Sequence, residues 1–232
     1  MIKNPNTHIE KETQHKIPLS QETEKERLIS GMTEMFRDPS YFQLIRKRVI
    51  PYLETFPHVH IWHAGCSTGE EAFSMGILLE QADLIDKTQI LATDKYEHRL
   101  IQARNGRFES KKYQAYSGNY LSSGLQKDFD SYFSTHSGYM QIKNPFLDVV
   151  EFCQHDLLLE EQTNAFACIF CRNVLIYYSE EEKVHILQKL LDCLIPTGFL
   201  ILGHVEDIRF LPSTKHLKTL EKGYSIYQKN CM

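Results

Sequence analysis

Between His60 and Glu71 the chain reads His60-Ile61-Trp62-His63-Ala64-Gly65-Cys66-Ser67-Thr68-Gly69-Glu70-Glu71. An apolar run ends in a bend with two glycines, and two carboxylates open the next segment. Glycine permits sharp bends and lets a backbone come close to a ligand. At the carboxyl end of a strand such a bend is the place for a nucleoside cofactor. The spacing is not the GxGxxG of dinucleotide folds, and Gly69 is followed by two glutamates where a phosphate loop carries Lys and Ser or Thr. Two carboxylates repel a phosphate and suit a cation. The next apolar run, Gln89 to Thr93, closes on Asp94, and an acid there can accept both hydroxyls of a ribose.

S-adenosylmethionine answers this description, with an ammonium, a sulfonium and no phosphate. Each acid has a structural role open to it as well. Glu70 reads mainly as a first-turn complement to the helix dipole, Glu71 fits that role or cofactor binding, and Asp94 fits a helix N-cap as well as a ribose. Other candidates carry less. Cys168 and Cys171 fall in one apolar run, where residues three apart face opposite sides, and no second cysteine pair has zinc-ribbon spacing. They read as buried thiols. The His63 and Cys66 pair and the Cys153 and His155 pair stand alone, and no metal is assigned. Arg46-Lys47-Arg48 reads as a solvated helix face.

Several strings along the chain, in order, resemble the chemotaxis-receptor methyltransferases, which methylate glutamates of bacterial chemoreceptors with S-adenosylmethionine. Thr33 to Asp38 is similar to that family's Asn-x-Thr-x-Phe-Phe-Arg segment. WHAGCSTGEEAFS (Trp62 to Ser74) is close to its WSAGCSTGEEPYS. Leu91 to Asp94 resembles its strand ending in aspartate, and Asp156-Leu157-Leu158 its Asn-Leu-Leu. FCRNVLIYY (Phe170 to Tyr178) is close to its FCRNVLIYF, and Gly203 to Glu206 to its Gly-His-Ser-Glu. The resemblance runs from about Thr33 to Lys229. It implies a Rossmann-like class I methyltransferase, α/β with a mostly parallel sheet and a small inserted antiparallel β-subdomain.

It also implies that Thr33, Arg37, Glu71, Asp94, Asp156, Leu157, Arg172 and Asn173 contact the cofactor, with Ala64 and Gly65 beside its methionine part. Asp94 would hold the ribose and Asp156 the adenine amino group. Arg37 and Tyr177 would stand near the transferred methyl and the substrate carboxylate. On composition alone Arg37 fits a surface ion pair with Asp38, and Tyr177 a packed aromatic. The implied partner is a protein substrate, the cytoplasmic helices of a chemoreceptor, with S-adenosylhomocysteine as product and a cytoplasmic location.

Departures accompany the likeness. Gly31 stands for the Asn of the first motif, Asp156 for Asn, and Ala72 for Pro. A short polar leader occupies the place of the family's helical N-terminal domain. Two other readings stay open: the same cofactor with another protein or a small molecule as acceptor, and a non-catalytic cofactor-binding module in a signalling complex.

The elements that must position these residues follow from periodicity. Residues 1–30 read as a polar, flexible leader, with a short amphipathic piece from Glu22 to Ile29. Residues 31–232 read as one domain. A helix starts at Asp38-Pro39-Ser40, with Pro51 and Pro57 ending that region. Strand Val59–Ala64, helix Glu70–Ala82, strand Gln89–Thr93 and helix Tyr96–Arg104 give βαβα patterning, hence a parallel sheet with covering helices. An insertion at about 106–150 breaks the rhythm, and Tyr139 to Lys143 alternates like an antiparallel strand. Strands Val149–Cys153 and Phe166–Cys171 follow. Helix Glu180–Leu194 carries Val184, Leu187, Leu190, Leu191 and Leu194 on one stripe. Pro196-Thr197-Gly198 turns into strand Phe199–Gly203, and Thr214 to Gln228 forms a hairpin around Lys222-Gly223.

The 232 residues hold 42% hydrophobic and 24% charged side chains and a net charge of -4. That is too apolar for a disordered chain and not basic enough for a general nucleic-acid binder. No apolar run approaches the roughly 20 residues of a membrane span, so no membrane insertion is expected. Six scattered cysteines fit a reducing compartment.

Overall fold

The computed structural model describes residues 33–206, 208 and 216–230. The leader, its Glu22–Ile29 piece, Gly31 and Cys231 lie outside the described residues. Helix α1 (Pro39–Leu44) and helix α2 (Ile50–Leu53) are joined by a π-helical stretch, Ile45–Val49. Pro51 therefore does not end the helix. A proline ring collides with the carbonyl one turn back in a continuous α-helix, and the wider π turn makes room for it.

Strand β1 (Val59–Ala64) leads to α3 (Glu70–Gln81), β2 (Thr88–Asp94) and α4 (Glu97–Asn105). Next come β3 (Arg107–Glu109), α5 (Tyr113–Ser122), β4 (Phe133–His136), β5 (Tyr139–Ile142) and α6 (Phe146–Val149). The chain closes with β6 (Val150–Gln154), β7 (Phe166–Cys171), α7 (Glu180–Cys193), β8 (Leu194–Leu202), β9 (Leu217–Thr219) and β10 (Ile226–Lys229). The main sheet runs β6-β2-β1-β7-β8-β10-β9. Its first five strands are parallel, and β10 lies antiparallel to both β8 and β9. β3, β5 and β4 form a separate antiparallel sheet. The fold is thus α/β and Rossmann-like, with a small antiparallel insertion. Among the described residues, no helix is long and apolar enough to cross a membrane.

Core side chains lie on both faces of the sheet. Ile61, Cys168 and Phe170 join one cluster with α1, α3 and the insertion, while Trp62, Ile169 and Cys171 join the other with α7. The two cysteines accordingly face opposite sides, as their spacing predicts. Beside its antiparallel sheet the insertion carries α5, whose Tyr116 and Tyr120 are wholly buried in the main core. Two further expectations need correction. Val184 lies on the exposed side of α7, and Ile186 takes the buried place; a 100° step per residue puts 186, 187, 190 and 191 on one face. β8 begins at Leu194, and Pro196-Thr197-Gly198 is an irregularity inside it rather than a turn before it, with Thr197 at φ 65°.

Candidate functional site

From β1 the chain moves outward through β2 to β6, then returns to the other side of β1 as β7 and continues to β8. The loops after β1 and β7 thus part in opposite directions, which is the switch point where open α/β sheets bind ligands. A cavity of about 340 Å³ opens there, within the size range of small-molecule sites. Its first wall is the bend after β1. The Gly65 and Cys66 N–H groups both donate to the Thr93 carbonyl, at 2.7 and 2.8 Å. Ser67 N–H donates to Asp94 Oδ2 at 2.8 Å, and Tyr96 N–H to Asp94 Oδ1 at 3.0 Å. Asp94 thereby fixes the bend and still has lone pairs left to offer. Burial pushes its carboxyl above the usual range, against the pull of those N–H groups and Arg99.

Opposite stands Arg172, just past β7, its side chain 2% exposed. Nη1 donates to Glu71 Oε2 at 2.7 Å, Nη2 to Asp38 Oδ2 at 2.6 Å, and both to the Arg37 carbonyl at 3.3 Å. The guanidinium carbon lies 4.8 Å from the Tyr41 ring centroid. One buried cation thus ties the segment before α1 to the first turn of α3. Phe36 and Asp38 adopt left-handed backbone, and Phe36 N–H donates to Ser74 Oγ at 2.9 Å. The kink between them presents Arg37 to the cavity. Burial pushes the Glu71 carboxyl up, but Arg172 and His63 win and hold it below its ordinary value.

The segment after β7 hangs on one carboxylate. Glu206 accepts from the N–H groups of Gly203 (2.6 Å), Asn173 (2.8 Å), Val174 (2.9 Å) and Leu175 (2.8 Å). A Cβ on Gly203 would stand 2.7 Å from Glu206 Oε2 and 2.9 Å from the Asn173 nitrogen, so only glycine fits. Two residues further, Tyr177 ends a short 3-10 turn at the rim, 40% exposed. Replacing Glu206 with Ala strands these donors, and each unsatisfied buried group costs about 1–3 kcal/mol. Sharing and relaxation keep the expected loss near about 3 kcal/mol. Urea unfolding of Glu206→Ala checks this, and a loss below about 1 kcal/mol would show that the loop holds without it.

Thr33, Arg37, Gly65, Glu71, Asp94, Leu157, Arg172, Asn173 and Tyr177 all border the cavity; Ala64 and Asp156 do not. Ala64 is packed into the α7-side core. The Asp156 carboxylate accepts from Leu158 N–H at 2.9 Å and lies 3.3 Å from Lys95 Nζ. Glu70 does more than face the helix dipole. It is 1% exposed and takes bonds from Thr68 (2.6 Å), Tyr116 (3.0 Å) and Lys112 (3.2 Å), which fasten the insertion to the bend. Sequence reasoning gave no role to Ser67, Tyr96 or Tyr178 on the cavity wall, nor to Glu206 behind it. The Gly-His-Val-Glu string was the available signal for Glu206.

The donor set suits a cationic nucleoside. Asp94 offers acceptors to a diol and Glu71 a carboxylate to an ammonium, while Arg172 is already neutralised by Glu71 and Asp38. Among the described residues, no cluster of His, Cys, Asp and Glu could hold a metal ion.

Residues 31–224 match the family described as CheR methyltransferase, SAM binding domain. Cher3 of Pseudomonas putida is 35% identical over 86% of this chain and 73% of its own length. The chemotaxis protein methyltransferase of Listeria innocua is 31% identical over 84% of this chain and 72% of its own. Among solved structures, the N-methyltransferase NodS of Bradyrhizobium japonicum superposes with a TM-score of 0.46 at 14% identity, over 85% of this chain and 89% of its own.

Proposed function

Because the chain belongs to the CheR family of S-adenosylmethionine-dependent methyltransferases, we propose that its acceptor is a glutamate side-chain carboxylate on a protein of the chemoreceptor kind. Residues 31–232 then act as one cytoplasmic catalytic unit, with 106–150 inserted. The observation that carries this reading is that Arg37 and Tyr177 border the same cavity as Glu71 and Asp94. One pair is suited to a carboxylate acceptor, the other to a cationic nucleoside.

Thr33, Leu157 and Asn173 complete the cofactor's surroundings in this reading, with Asp94 at the ribose and Glu71 at the ammonium. Asp156 is a support for the Leu157-Leu158 turn rather than a direct contact. When bound, the cofactor would supply a sulfonium methyl for transfer to a carboxylate oxygen, with sulfur as the leaving group that would keep the electron pair. A glutamate is already ionised at neutral pH, so no general base is needed. What the protein contributes is alignment and exclusion of water, which together can supply roughly 7–11 kcal/mol. Arg37 steers the carboxylate by a charge-assisted contact and Tyr177 by its hydroxyl. The exposed Ile176 and Tyr177 side chains at the mouth offer apolar surface to a macromolecular acceptor.

Incubation with methyl-labelled S-adenosylmethionine and soluble chemoreceptor signalling fragments tests this. Base-labile label released as methanol is the expected result, and stable label or none would overturn it. Tyr177→Phe is expected to lower kcat by about 10- to 100-fold, since small misplacements at a reacting centre cost about that much. Its affinity for S-adenosylhomocysteine, read by calorimetry, should stay within about twofold of the parent, as expected for an interaction confined to the transition state.

A further inference from the structure

The bend after β1 is framed by a histidine that the proposed chemistry leaves unused. His63 is 1% exposed and stacks on Phe170, with ring centroids 4.3 Å apart and planes inclined by 12°. Its Nδ1 lies 3.1 Å from Glu71 Oε1. Its Nε2 is buried with no hydrogen-bonding partner among the described residues. Only a proton on Nδ1 makes a bond, so the ring is a donor to the carboxylate. Glu71 Oε2 is held from the other side by Arg172 at 2.7 Å.

Each carboxylate oxygen is therefore gripped once by the protein. An ionised carboxylate has about four acceptor sites, so each oxygen keeps one for the cavity. Arg172 alone would leave the carboxylate free to pivot about Oε2 and turn Oε1 out of register. A stacked imidazole on a central strand cannot follow such a pivot. We infer that His63 is a positioning residue: through Nδ1–H it fixes the Glu71 carboxylate in the orientation that receives the cofactor's ammonium. This rests on the assignment of Glu71 to that ammonium.

The test compares two ligands and two variants by calorimetry. S-adenosylhomocysteine carries the ammonium, and 5′-methylthioadenosine lacks the whole amino-acid end. His63→Asn and His63→Leu both lose the stacked ring and share a four-atom side chain branched at Cγ, but only asparagine keeps a donor near the place of Nδ1. For S-adenosylhomocysteine, His63→Leu is expected to bind about tenfold more weakly, the size of one hydrogen bond to a charged group, and His63→Asn within about threefold of the parent. For 5′-methylthioadenosine, both should match the parent. Equal losses in the two variants, or a loss that extends to 5′-methylthioadenosine, would overturn the inference. Glu71→Gln distinguishes it from the assignment beneath: if that change weakens both ligands alike, Glu71 does not hold the ammonium. Nitrogen NMR of the unaltered protein gives a readout independent of folding in the variants. It should show the His63 proton on Nδ1, and a proton on Nε2 alone would overturn the inference.

Discussion

Arg172→Leu is expected to lose about 3–5 kcal/mol of stability, the cost of removing one partner from a buried ion pair. Glu71 would keep its charge with only His63 for a partner, and Asp38 would lose its hold on the segment before α1. Arg172→Lys should recover only part, because one ammonium cannot reach both acids as the planar guanidinium does. The loss should depend on pH, with a sign that follows from Glu71. Its carboxyl is held below the usual value in the folded protein. A depressed acid contributes stability that is present above the unfolded-state value, about 4.3, and is lost as pH falls through the folded-state titration. The gap between parent and Arg172→Leu should therefore be full at neutral pH and narrow below about pH 4. Urea unfolding across that range checks it. A gap unchanged down to pH 3 would place the cost in packing against Tyr41 instead. Arg172→Leu combined with Glu71→Gln should be more stable than Arg172→Leu alone, since no carboxylate is then left unpaired by the missing guanidinium.

Why this clamp was hidden in the sequence is instructive. Arg172 stands in a recognisable string, but its partners lie 134 and 101 residues away, and nothing local announces which acids it meets. β1, by contrast, was readable to its last residue, because Val59, Ile61, Trp62 and Ala64 make a short, mostly apolar run that closes on Gly65. Asp94 was legible for the same reason: a short buried strand can tolerate an acid only where it ends. Helix α5 was not legible. Its buried face is made of Tyr116 and Tyr120, whose hydroxyls reach Glu70 and the Lys127 carbonyl, so a polar-looking segment is held by tertiary contacts rather than by an apolar stripe. Pro51 misled because its usual effect assumes α geometry, and the π stretch removes that premise. The Asp156 carboxylate meets the local turn at Leu158 N–H and the Lys95 ammonium, and bonding to a nearby backbone N–H is common for short acids.

Gly65→Ala is expected to be the most damaging single-atom change at the site. Gly65 has φ 82°, a region that costs a residue with a Cβ roughly 1–2 kcal/mol. The added carbon would also overlap the Val174 Cγ2 methyl and stand 3.1 Å from its Cγ1. Val174 cannot simply retreat, because its own N–H is tied to Glu206 at 2.9 Å. Overpacking of this kind costs about 1–3 kcal/mol more. The two loops that meet here are the cavity's opposing walls, so pushing them apart changes the binding site itself. Affinity for S-adenosylhomocysteine should fall by roughly 100-fold or more, since about 1.4 kcal/mol corresponds to a factor of ten. Val174→Ala removes both methyls and leaves its Cβ 3.4 Å from the new carbon, an ordinary contact. Gly65→Ala combined with Val174→Ala should therefore regain the packing part of the loss and keep the backbone part. Because the two positions touch, the double-mutant cycle should show a coupling of about 1–3 kcal/mol. Additive losses would mean that the left-handed backbone alone makes glycine necessary at position 65.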